Sequence, residues 1–283
     1  TGIIIYYYLK KLGVSALGRI VGVGVFALNA NIMYMQSTAM TELLLIATMT
    51  AAAYELLLWY QKGQLLNLVK MSFWIMMATL IRYDGWFLFA MTVGLITIHA
   101  FRKLKFKAAE AHFFFFCTLA GFGIALWFLW NLVIFKDPFY FAFGPYSAHA
   151  QQTQLEEAGV LATKGNILFS LKVYLYALAY NSGMFVLIMG AVGSIVLWMD
   201  KKINTDVKIA TLALFAPLIF NIIALYLGHS VLFIQGLSGD TWFNVRYGLM
   251  MMPGIAIFIG YLVSRAGKIK WGLIGLACLA IAI

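Results

Sequence analysis

Apolar residues in this chain come in long runs, and charged residues gather in the short connections between them. A helix needs about 20 residues to cross the hydrocarbon of a bilayer. The runs predict spans over 17–30, 41–60, 67–81, 86–101, 111–135, 182–199, 209–227 and 248–263, with shorter apolar stretches at 1–9 and from 271 onward. Those two stretches read as halves of spans, so the chain is expected to be a piece cut at both ends. One further apolar segment, 167–180, carries Tyr174, Tyr176 and Tyr180 beside Lys172. Tyrosine favours the membrane interface, which predicts a helix lying partly along the membrane surface there. The expected fold is all-α: a polytopic transmembrane helical bundle forming one membrane domain over 1–283, with outer-face loops and an interfacial helix.

The charges orient this bundle. Lys and Arg cluster on every second connection, at Lys10-Lys11, Arg19, Lys62, Arg102 to Lys107, Lys201-Lys202-Lys208 and Arg265-Lys268-Lys270. The intervening connections hold most of the acids: Glu42, Asp84, Asp137, Glu156, Glu157 and Asp240. Short loops rich in Lys and Arg stay in the cytoplasm. Of the 20 basic residues, this assignment leaves Arg82, Lys136, Lys164, Lys172 and Arg246 outside. Charge on the outer face is therefore sparse and mixed in sign, and function is expected there.

Composition changes the picture by exclusion. The chain is 64% hydrophobic and 11% charged, with a mean hydropathy of +0.91. No soluble domain buries that much apolar surface. A net charge of +10 would suggest nucleic acid in a soluble protein. Here it sits on loops facing anionic lipid, so a nucleic-acid partner is set aside. Cys117 and Cys278 lie inside apolar runs and read as packing residues. The pairs His99/His112 and His149/His229 lack metal-ligand spacing, so no cofactor is assigned and a divalent metal has no support from the residues present. Gly18, Gly22 and Gly24 follow no strand, and read as helix-packing glycines rather than a dinucleotide loop.

Four charged residues at helix ends on the outer side carry the candidate chemistry. Glu42 opens a descending helix, either as a first-turn acid behind a Thr41 cap or as an acid at the mouth of a cavity. Arg82 and Asp84 sit in what reads as a tight turn, Arg82-Tyr83-Asp84-Gly85, where an outer arginine is unusual. Arg246 precedes Tyr247 at the start of another descending helix, where its charge opposes the helix dipole and suits a bound phosphate. The long outer loop adds Lys136-Asp137-Pro138 and Gly144-Pro145-Tyr146-Ser147-Ala148-His149. Tyr146 and His149 there have the aromatic faces and polar atoms of a carbohydrate site, with interfacial anchoring as the rival reading.

Three of these segments, in this order, resemble the GT-C superfamily of membrane glycosyltransferases, of the protein-mannosyltransferase and lipid A aminoarabinose-transferase type. They are Asn29 to Glu42, Leu80-Ile81-Arg82-Tyr83-Asp84-Gly85-Trp86, and Arg246-Tyr247 ahead of a helix with Pro253. The Asp137-Pro138 and Pro145-Tyr146-Ser147 loop is in keeping with bacterial members. The resemblance covers most of the chain. It implies transfer of a sugar from a polyprenyl-phosphate carrier to a lipid, glycan or protein acceptor, at the outer face of a bacterial cytoplasmic membrane. It further implies that Glu42 is the second acidic position near the acceptor, that Arg246 meets the lipid phosphate, and that Arg82 and Asp84 line the same cavity. The family's principal catalytic acid lies in a first outer loop that would precede Thr1, so no catalytic base is assigned. Two other classes compete: a transporter or lipid flippase, and a purely structural membrane subunit. The first is disfavoured by the lack of an inverted repeat, the second by the charges at Arg82, Asp84 and Arg246.

Overall fold

The computed structural model describes residues 1–145 and 147–282. Tyr146, a candidate from the sequence, lies outside the described residues. The chain forms an all-α bundle, and no residue is placed in an extended strand among those described. In order, the helices are α1 (Gly2–Lys11), α2 (Ala16–Ala27), α3 (Ala30–Gln36), α4 (Glu42–Lys62), α5 (Leu65–Ile81), α6 (Tyr83–Lys103), α7 (Phe106–Phe135), α8 (Tyr140–Phe143), α9 (Ala148–Glu157), α10 (Ile167–Ser182), α11 (Met184–Met199), α12 (Thr205–Thr211), α13 (Ala216–Tyr226), α14 (Met252–Arg265) and α15 (Lys270–Ala282). Short 3₁₀ helices join α12 to α13, Leu212–Phe215, and lead into α14, Val245–Met251.

Five stretches are long and apolar enough to cross a bilayer: Glu42–Lys62, Tyr83–Lys103, Phe106–Phe135, Thr205–Tyr226 and Val245–Arg265. Two bent pairs add to them. α2 and α3 meet at 59°, and α10 turns 111° into α11. This is an integral membrane protein by length and apolarity of its helices. The sharp turn between α10 and α11 falls at Gly183, whose φ of 82° is open to glycine.

The middle of the bundle is α14, buried along nearly its whole length, while α7 is mostly uncovered. Exposed Phe114, Phe122, Leu129 and Trp130 give α7 the outer surface of a lipid-facing helix. α14 is gripped by backbone approach rather than by large side chains. A Cβ on Gly18 of α2 would come within 2.5 Å of the Gly260 carbonyl, and one on Gly193 of α11 within 2.2 Å of the Phe258 carbonyl. Small residues serve this purpose where lipid gives no hydrophobic drive between helices. Gly22 packs the same way, but nothing lies within 4 Å of a Cβ on Gly24, so that glycine has no part in the contact.

The sequence reading also needs three local corrections. Thr41 makes no side-chain cap on α4. Arg82 to Gly85 form no turn: α5 ends at Ile81, Arg82 alone is extended, and α6 starts at Tyr83. The stretch between the expected spans 17–30 and 41–60 contains most of α3, capped by the Asn29 side chain accepting from the Ile32 N–H.

Candidate functional site

Four elements bring charge together at the end of the bundle opposite the Lys/Arg clusters. α4 begins there with Glu42. α5 and α6 meet there around Arg82, and a Cβ on Gly85 would lie 2.2 Å from the Ala78 carbonyl, so the two helices touch backbone to backbone. The sole break between them is the extended Arg82, at φ −158° and ψ 162°. The fourth is the 3₁₀ segment ahead of α14. It starts at Asn244, held left-handed at φ 56°, a conformation that asparagine tolerates better than most residues. The Asn244 side chain donates to the Val231 carbonyl at 2.9 Å, which ties the segment to the preceding loop.

The charged groups meet on one carboxylate oxygen. Arg246 Nε donates to Glu42 Oε1 at 2.7 Å, and Arg82 Nη1 reaches the same oxygen at 3.4 Å. Arg82 Nε also donates to Asp84 Oδ2 at 3.2 Å. Tyr247 lies against both guanidiniums, its ring centroid 4.5 Å from that of Arg82 and 5.7 Å from that of Arg246. Glu42 is 1% exposed and Asp84 3%. Carboxylates this deep need cationic partners, and here each has one or two. Burial works against the charge on Arg82, but Asp84 and Tyr247 more than offset it, raising its pKa above the ordinary arginine value. The second carboxylate oxygen, Glu42 Oε2, is buried and has no hydrogen-bond partner among the described residues.

α10 supports this cluster from behind. Asn181 donates its amide to the carbonyls of Ala177 and Val245, both at 2.7 Å. Its own backbone carbonyl accepts from Asn29 at 2.8 Å and from Asn31 at 3.3 Å. The buried Tyr174 hydroxyl donates to the Tyr247 carbonyl at 3.2 Å. The residues on either side of Arg246 are thus held from α10, independently of Glu42.

Two cavities adjoin the cluster. Arg82, Asp84 and Tyr247 line one of about 450 Å³, together with Gln151, Gln152, His229 and Asn244. Arg246 lines another of about 350 Å³ with Asn31, Tyr34 and Asn181. The Glu42 carboxylate joins the arginine of the first to the arginine of the second. A third, largely apolar cavity shares Tyr83, Gln152 and His229 with the first and takes in Phe87, Phe141 and Phe143.

Of the residues singled out from sequence, Glu42, Arg82, Asp84, Arg246 and Tyr247 come together. His149 does not: it is exposed on α9, beside the Phe143 ring, and lines the apolar cavity. Gln151, Gln152 and His229 were missed as members of the cavity, as was Asn181 as a support. A lone amide on a polar helix or in an apolar run gives no signal in sequence, because only the fold decides what it faces.

No protein-family model matches this chain, and neither does any curated protein or solved structure.

Proposed function

We propose that this protein transfers a sugar from a polyprenyl-phosphate carrier to an acceptor, at the outer face of a bacterial cytoplasmic membrane. The observation that carries the reading is the meeting of Arg82 and Arg246 on the buried Glu42, at the end of the bundle away from the Lys/Arg clusters. That end faces outward if the basic loops are cytoplasmic. The neighbouring cavities are in the size range of small-molecule sites. In the proposed reaction the acceptor oxygen or nitrogen bonds to the anomeric carbon while the bond from that carbon to the phosphate oxygen breaks. The leaving phosphate takes the electron pair, and guanidinium groups beside it stabilise that charge. The acceptor proton goes to a carboxylate, with Glu42 contributing on the acceptor side.

The same cluster also supports assigning Arg246 to the lipid phosphate, since it is the more accessible of the two arginines at 37% exposed against 21%. The test uses the protein in nanodiscs with a panel of polyprenyl-phosphate-linked hexoses and pentoses. Arg246→Ala is expected to lower binding and transfer together while leaving insertion normal. Arg246→Lys should restore only part, because an ammonium lacks the planar two-pronged contact with phosphate oxygens. Unchanged binding by the alanine variant would refute the phosphate role of Arg246. Failure of every donor to bind the unaltered protein would refute the reading as a whole.

A further inference from the structure

The pairing at Glu42 is lopsided. One carboxylate oxygen receives both arginines, while the other is buried with no hydrogen-bond partner among the described residues. A buried carboxylate oxygen without a hydrogen bond is costly, so this is a poorly satisfied arrangement for a group so enclosed. The arginines, by contrast, have other supports. Arg82 keeps its bond to Asp84, and the Tyr247 ring lies against both guanidiniums. Asn181 and Tyr174 hold the backbone on either side of Arg246. Both guanidiniums would therefore stay in place if Glu42 let go.

We infer that Arg82 and Arg246 form one anion site in which the Glu42 carboxylate is a displaceable occupant, giving way to a phosphate monoester. This rests on the lipid-phosphate reading above and deepens it by adding a competition built into the site, the monoester being the carrier phosphate left once the sugar has been transferred. A phosphate monoester brings three acceptor oxygens and a charge of about −1.5 to −2, against two oxygens and a single charge for the carboxylate. It can occupy both guanidiniums at once, where Glu42 offers them one shared oxygen. The cavities on the two sides give it room to enter.

The competition makes an unusual prediction: removing this carboxylate strengthens anion binding. The probe is farnesyl phosphate, with farnesol as the uncharged control, titrated against the full chain in nanodiscs. Glu42→Gln keeps the shape and removes the charge. It is expected to bind farnesyl phosphate roughly tenfold more tightly than the unaltered protein, the gain when a competent state goes from about a tenth to fully populated. Farnesol binding should be equal in the two, and Glu42→Gln combined with Arg246→Gln should lose the gain. Equal or weaker farnesyl phosphate binding by a folded Glu42→Gln protein overturns the exchange while leaving the lipid-phosphate reading intact. No farnesyl phosphate binding by any form overturns both. The unaltered protein provides a measurement independent of the variant's folding. Saturation with farnesyl phosphate should raise labelling of Glu42 by a hydrophobic carbodiimide several-fold, because the carboxylate has left its two arginines; unchanged or reduced labelling would overturn displacement.

Discussion

The two ends of this bundle use the same ion-pair chemistry in opposite settings. At the end bearing Glu42, a carboxylate with 1% exposure is shared by two arginines, and one of its oxygens is left over. At the basic end, Lys103 pairs with Asp206 at 2.9 Å with the lysine half exposed, and Arg265 and the Tyr261 hydroxyl both hold Asp200. The basic-end acids are less deeply enclosed, Asp206 at 14% and Asp200 at 15% exposed against 1% for Glu42, so water supports part of their charge and each pair contributes less. At the Glu42 end the carboxylate is enclosed, so the two arginines and not water balance its charge. Under the proposed function that difference has a use: a poorly satisfied, buried group beside cavities leaves room for a ligand to improve on what the protein supplies.

The largest expected effect tests that contrast directly. Glu42→Ala leaves two arginines without their shared carboxylate and should cost about 3–5 kcal/mol of stability, whereas Asp206→Ala at the basic end should cost about 1 kcal/mol or less. Thermal unfolding of both variants in the same nanodiscs measures the difference, and equal losses would erase the distinction between the ends. A middle-sized effect concerns the support behind the site. Asn181→Ala removes two donated hydrogen bonds, to Ala177 and Val245, and should cost about 1–3 kcal/mol. It should also weaken farnesyl phosphate binding, since Arg246 follows Val245 directly. A stability loss with unaltered binding would mean that α10 braces the helix without placing the arginine.

The smallest effect lies at the basic end and depends on pH. The hydrogen bond from the Tyr261 hydroxyl, then the Lys202 N–H and the nearby Arg265, hold the Asp200 carboxyl below its ordinary value of 3.8. A depressed folded value means that the carboxylate stabilises the fold above the ordinary value, and that this contribution disappears as pH falls through the lowered one. Asp200→Asn should therefore lower the melting temperature slightly near neutral pH, by an amount that shrinks as pH drops below about 4. A difference that persisted in acid would show that packing, not charge, is what the asparagine disturbs.

Long apolar runs and the alternation of basic loops were enough to read the all-α membrane bundle, because burial in lipid demands a composition that no other environment tolerates. The same pattern put Glu42, Arg82, Asp84 and Arg246 on one face, since charges at the ends of apolar runs can only sit near one boundary or the other. What it could not give was their partnership. Glu42 and Arg246 are far apart in sequence, and their 2.7 Å contact exists because α4 and the segment before α14 end at the same point in the bundle. Local backbone was also beyond reach. The extended Arg82 between two helices and the left-handed Asn244 are conformations chosen by packing across Gly85 and by the bond to Val231, neither of which is a neighbour in the chain. Composition and periodicity act residue by residue along the chain, so they decided membrane, helix and the end of the bundle at which each charge lies. Only tertiary packing decides which distant charges share one buried oxygen, because that depends on how helices cross in three dimensions.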